Sequence, residues 1–208
     1  MNDSILLLWL LILAACSFIG GILANNILRK HQSYKRYAIL AEMFLMVLIV
    51  SELTKEGFAF TGWVIFSLLG GIGLLYLINK YIPHHHRHGH NKMSKLVYTG
   101  MLLHELPQGI AFVASFLIDP SLGIAIAILL ALHNIPEGAV VSLPYFLKNK
   151  AKQAYKAIAL TQLAFVKAGL TAYIILVYLS PIIQAHMMDI AAGMMIFIVI
   201  EEVLLFKR

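Results

Sequence analysis

The chain has 208 residues, 61% of them hydrophobic and only 12% charged, with a mean hydropathy of +0.84 and a formal net charge of +6. A soluble domain carries about a quarter of its residues charged, so these proportions exclude one; the single cysteine, Cys16, excludes an intrachain disulfide framework and a cysteine-based zinc site. The excess of positive charge does not describe a nucleic-acid surface, because the Lys and Arg residues cluster between apolar runs, as topology determinants do.

Seven apolar runs of about 17 to 26 residues, the length a bilayer demands of a helix, fall at 4–28, 37–53, 58–82, 96–118, 122–147, 157–180 and 187–206. They predict an all-α, polytopic transmembrane helical bundle of seven helices, with 1–208 forming a single transmembrane domain. Within the first run, Leu13-Ala14-Ala15-Cys16 is similar to a lipoprotein processing box. The head Met1-Asn2-Asp3-Ser4 lacks positive charge and the run continues to Leu28, so the segment reads as a helix. Alternate connections carry Arg29, Lys30, Lys35 and Arg36, then Lys80, Arg87, Lys92 and Lys95, then Lys148, Lys150, Lys152 and Lys156, then Lys207 and Arg208. The opposite side holds only Lys55, and Lys167 lies inside the sixth run. The positive-inside rule therefore predicts an N-terminus outside and a C-terminus in the cytosol.

The third run carries Gly62, Gly70, Gly71 and Gly73, small residues that let helix backbones approach closely in lipid. After it, the cytosolic loop 83–95 contains Pro83-His84-His85-His86-Arg87-His88-Gly89-His90, which holds five of the nine histidines. Imidazole is the commonest protein ligand for zinc and similar divalent ions, so His84, His85, His86, His88 and His90 are expected to capture metal; the plainer alternative is a solvated polar loop.

The fourth and fifth runs carry the most informative pattern. His104-Glu105-Leu106-Pro107-Gln108-Gly109 is echoed by His133-Asn134-Ile135-Pro136-Glu137-Gly138, in runs that are otherwise apolar. Ionisable groups in mid-membrane are retained mainly where they pair, line a cavity or handle ions. On a helix, His104 and Gln108 share a face one turn apart, as do His133 and Glu137, while Glu105 and Asn134 lie about 100° round. A short connection at Asp119-Pro120 makes the two helices antiparallel neighbours, so two imidazoles, a carboxylate and an amide can converge near mid-bilayer. Pro107 and Pro136 each remove a backbone hydrogen bond, and Gly109 and Gly138 allow another backbone or a hydrated ion to come close. A ligand set of nitrogen and oxygen without sulfur suits zinc, ferrous iron, manganese or cobalt and does not choose among them.

At these residues the sequence resembles the ZIP (Zrt-/Irt-like) divalent-metal transporters. His133 to Gly138 is similar to their fifth-helix signature, His104 to Gly109 to a variant of the fourth-helix signature, and the histidine loop to their loop between helices three and four. The stretch from Ala191-Ala192-Gly193-Met194 to Glu201-Glu202 is similar to their seventh helix. The resemblance implies a first metal site on His104, Gln108, His133 and Glu137 and a second on Glu105, Gln108, Asn134 and Glu137. It also implies zinc as the cargo (Fe2+, Mn2+ or Co2+ as alternatives), moved into the cytosol across a bacterial cytoplasmic membrane, and a homodimer. The chain departs from the family pattern in three ways. The fourth-helix motif has Glu105 and Gln108 where the family has Asn and Glu. The sixth run, Gln162-Leu163-Ala164-Phe165-Val166-Lys167-Ala168-Gly169, lacks the usual glutamate, and the sequence stops after the seventh helix where family members have an eighth.

Lys167 is expected to place its ammonium in the second-site region, paired with Glu105 or Glu137 in place of a metal's charge. Glu42, Glu201 and Glu202 are expected to line a pathway for the ion near the cytosolic side. Two other functions compete with transport. His104-Glu105 begins like the zinc-hydrolase motif His-Glu-x-x-His, but Gln108 stands where the second histidine belongs, which argues against an enzyme. The altered ligands also suit a metal-binding membrane protein that does not transport.

Overall fold

The computed structural model describes residues 3–28, 34–60, 62–81 and 93–206, and all regular structure among them is helical. Seven helices follow in order: α1 (Asp3–Leu23), closed by a π-helical turn over Ala24–Leu28, α2 (Tyr34–Phe60), α3 (Val64–Tyr81), α4 (Met93–Ile118), α5 (Pro120–Phe146), α6 (Ala151–Leu176) and α7 (Pro181–Phe206). Five of them are long and apolar enough to cross a membrane, over Ser4–Ile27, Arg36–Phe60, Val64–Tyr81, Pro120–Phe146 and Ala151–Leu176; α4 adds a shorter apolar segment, Leu103–Ile118. The wide apolar surface of α1, α2 and α3, including Leu8, Leu11, Phe44, Phe66 and Leu69, is exposed because lipid rather than protein is its solvent.

Several boundaries differ from those that hydropathy marks. The second helix runs to Phe60 through Lys55 and Glu56, which hydropathy assigns to a connection. Lys55 Nζ lies 3.2 Å from Glu52 and 3.8 Å from Glu56, so these charges pair with one another along the helix and need no break in it. The fifth helix opens on an Asp119 cap that accepts from the Ser121 amide at 2.8 Å, with Pro120 in the first turn, where its missing N–H is harmless. Pro107 and Pro136 lie inside continuous helices and take the helical donor away from the carbonyls of Leu103 and Leu132.

The helices meet through glycine. A side-chain carbon on Gly20 would collide with the Ile135 carbonyl, and one on Gly138 with the Ser17 carbonyl, so α1 and α5 touch backbone to backbone from both sides. Gly71 and Gly193 do the same for α3 and α7, against the Ile190 and Leu68 carbonyls, and Gly109 lies on the α6 backbone at Phe165 and Gly169. Of the four glycines in the third run, only Gly71 is a packing contact; Gly62, Gly70 and Gly73 face open space. The fifth helix lies at the centre, against α1, α2, α4 and α6. A large apolar cluster, with Leu10, Met46, Phe112, Leu130, Phe165 and Met195 fully or almost fully buried, fills the bundle on the side of the α4–α5 turn.

Candidate metal centre

His104 is the twelfth residue of α4 and His133 the fourteenth of α5, about 16 to 20 Å along helices rising 1.5 Å per residue. Antiparallel packing brings them level. Their Nε2 atoms are 3.3 Å apart and their rings lie nearly parallel, 9° between planes with centroids at 5.6 Å. Glu137 completes a triangle, with one carboxylate oxygen 4.0 Å from His104 Nε2 and the other 3.8 Å from His133 Nε2. The Gln108 amide approaches His133 Nε2 at 3.4 Å. All four side chains are buried, and neither Glu137 oxygen nor Gln108 Oε1 has a hydrogen-bond partner.

The spacing suits a cation. Two nitrogens at about 2.0–2.1 Å from a tetrahedral zinc lie about 3.3–3.4 Å from each other. The second ring nitrogen of His133 is tied: Nδ1 lies 3.1 Å from the Glu42 backbone carbonyl, an acceptor only, so Nδ1 carries the proton and Nε2 presents its lone pair. Buried carboxylate oxygens without donors are costly unless a positive charge compensates them. Among the described residues no Lys or Arg forms an ion pair with Glu42, Glu105, Glu137 or Glu202.

Residues outside the duplicated motif enter the cluster. One Glu42 carboxylate oxygen and one nitrogen each from His104 and His133 lie within 4.8 Å of one another, so Glu42 belongs to the centre itself. Hydropathy begins the second run at 37 and so puts Glu42 near a helix end; the helix begins at Tyr34, which sets Glu42 more than two turns in. Glu202 Oε1 lies 3.7 Å from His104 Nδ1. Glu201, by contrast, turns to α3, where it accepts from the Asn79 amide.

Glu105 and Asn134, the flanking positions of the implied second site, are buried and face different neighbours. The Asn134 amide donates to the Leu13 carbonyl of α1 at 2.9 Å, and Glu105 Oε1 accepts from Gln162 of α6 at 2.7 Å. Glu105 Oε2, Asn134 Oδ1 and Gln162 Oε1 remain without partners, an all-oxygen fringe beside the nitrogen-bearing centre. A search of the sixth run for a carboxylate misses Gln162; a lone amide in the middle of an apolar helix is the signal that marks it.

Lys167 does not fill the role expected of it. Its side chain is exposed and makes no ion pair among the described residues. Five residues separate it from Gln162, about 140° round the helix, so the face that offers Gln162 to Glu105 turns Lys167 away. The expected capture histidines, His84, His85, His86, His88 and His90, lie outside the described residues.

The fold and this cluster define a class: an all-helical, multi-pass membrane protein with imidazoles and carboxylates gathered inside the bundle, able to hold a metal ion. No family model matches the sequence. The zinc transporter ZupT of Escherichia coli O7:K1 (strain IAI39 / ExPEC) is 29% identical over 227 aligned residues, which cover 97% of this chain and 86% of the relative. The same figures hold for the zinc transporters ZupT of Escherichia coli O1:K1 / APEC and of Escherichia coli O9:H4 (strain HS). Along nearly its whole length the chain is thus similar to these zinc transporters, in keeping with the resemblance of its two hexads to the ZIP signatures.

Proposed function

We propose that the protein carries a divalent transition metal, zinc first among them, across the membrane into the cytosol. The observation that carries this reading is the pair of Nε2 atoms 3.3 Å apart beside a Glu137 carboxylate whose two oxygens have no donor. His104, His133 and Glu137 hold the ion, with Glu42 or the Gln108 oxygen completing the shell as the ion sheds water. The relatives named above are zinc transporters, which supports the same cargo here and speaks against the hydrolase alternative. The charge bias of the connections sets the N-terminus outside and the histidine loop 83–95 in the cytosol, where it receives the ion, and the inward direction is what the resemblance to the ZIP transporters implies. The apolar cluster around Met46, Phe112 and Phe165 separates the centre from the α4–α5 end of the bundle. The ion enters from that end only when helices part, which is the alternating exposure expected of transporters.

The test is uptake of zinc by purified protein in liposomes. Wild type is expected to load vesicles with zinc, and His133→Ala and Glu137→Gln to lose that uptake while still inserting. Binding without flux in the wild type would leave a metal-binding membrane protein and remove transport.

A further inference from the structure

We propose that Glu202 is the positioning residue of His104, holding that ring so that Nε2, and not Nδ1, faces the ion. This rests on the reading of His104 as a metal ligand. The two histidines need the same thing, a partner for the ring nitrogen turned away from the centre. For His133 the partner is a backbone carbonyl, that of Glu42, which cannot rotate away. For His104 the Glu202 carboxylate of α7 lies 3.7 Å from Nδ1. Glu137 and His133 lie against Nε2 on the opposite edge of the ring, and the Glu42 carboxylate lies in the same cluster.

The approach of Glu202 is set from α3. Glu201, its neighbour in sequence, accepts from Asn79, and the reciprocal contacts at Gly71 and Gly193 fix the helices against each other. Two successive glutamates on a helix point about 100° apart. With Glu201 engaged by α3, Glu202 is directed to α4 and the His104 ring. The α3–α7 pair thus shapes a ligand it does not itself supply. As the ion draws electron density from His104, the carboxylate at Nδ1 stabilises the positive charge that develops on the ring, and the gap at 3.7 Å closes to a hydrogen bond.

The experiment is titration of the full-length protein in detergent with Co2+, read by its ligand-field absorption, for wild type, Glu202→Ala, Glu202→Gln, His104→Ala and the Glu202→Ala/His104→Ala pair. Loss of an orienting partner costs about 10- to 100-fold in metal affinity. Glu202→Ala is expected to weaken binding by that factor and shift the spectrum. Glu202→Gln, which keeps an oxygen acceptor of the same reach, is expected to stay within about threefold of wild type. In the His104→Ala background, removing Glu202 should change nothing further. Unaltered affinity in Glu202→Ala, equal damage from Glu202→Gln, or an undiminished effect without His104 would each overturn the assignment. Nitrogen-15 spectra of histidine-labelled, zinc-loaded wild type, compared with zinc-loaded His104→Ala, supply a readout free of Glu202 variants: with the ion bound, His104 should carry its proton on Nδ1, and a proton on Nε2 would refute the proposal. Absence of Co2+ binding in wild type would instead refute the metal site itself.

Discussion

His104 and His133, 29 residues apart in sequence, meet across the α4–α5 seam with parallel rings and Nε2 atoms at 3.3 Å. Two neutral imidazoles in that posture can share one proton or one metal ion, and the neighbouring Glu137 carboxylate favours the carrier of greater charge. Replacing either histidine by alanine removes a nitrogen ligand, so zinc affinity should fall by about 100-fold or more. Calorimetric titration in detergent checks this, and the loss should resemble that from Glu137→Gln. Protons compete for the same nitrogens and oxygens, so wild-type affinity should decline as the pH is lowered.

Glu42 is predicted to behave as part of the centre rather than as a distant pathway residue. Its carboxylate lies with His104 and His133 in one buried group. Glu42→Gln keeps the backbone carbonyl that orients His133 and alters only the side chain, so affinity should drop by about tenfold. Equal affinity in the variant and the wild type, with uptake alone impaired, would return Glu42 to a pathway role.

Gln162 holds Glu105 by a 2.7 Å hydrogen bond in a buried setting. Gln162→Leu strands that carboxylate oxygen, and the cost of an unsatisfied buried polar group is about 1–3 kcal/mol. Thermal unfolding in detergent without metal should show the loss. Adding zinc should recover part of it if the ion can draw on the freed oxygen.

Lys167 stands on the exposed face of α6. Lys167→Ala is therefore expected to leave metal affinity and selectivity within about twofold of wild type, since no ligand is touched and exposed charges contribute little. A marked change in zinc binding would show that its ammonium reaches the centre after all.

The α1–α5 contact tolerates no side-chain carbon at Gly20 or Gly138, because each glycine lies on a carbonyl of the facing helix. Gly20→Ala should destabilise the protein by about 1–3 kcal/mol, the usual cost of overpacking. Because Asn134 bonds to Leu13 across the same seam, metal affinity should fall with it. Gly70→Ala, at an open position, is the control and should leave both unaltered.

The duplicated hexads make the heart of the centre legible in the amino-acid sequence alone. Helical periodicity puts His104 with Gln108 and His133 with Glu137, a short connection at Asp119-Pro120 makes their helices neighbours, and apolar runs of bilayer length make them membrane helices. These are local properties, and each is written in a few consecutive residues.

Tertiary structure decided which other helices reach that centre, because this depends on how far each is rotated about its own axis. In a soluble protein the apolar face announces that rotation; in lipid the outward face is as apolar as the buried one, so hydropathy is silent. The rotation is set by close contacts, Gly20 on Ile135, Gly138 on Ser17, Gly71 on Ile190, Gly193 on Leu68. With the helices so packed, Glu42 lies beside His133 across 91 residues of sequence, Gln162 meets Glu105 where Gly109 rests on α6, and Glu202 turns toward His104 while Lys167 faces outward.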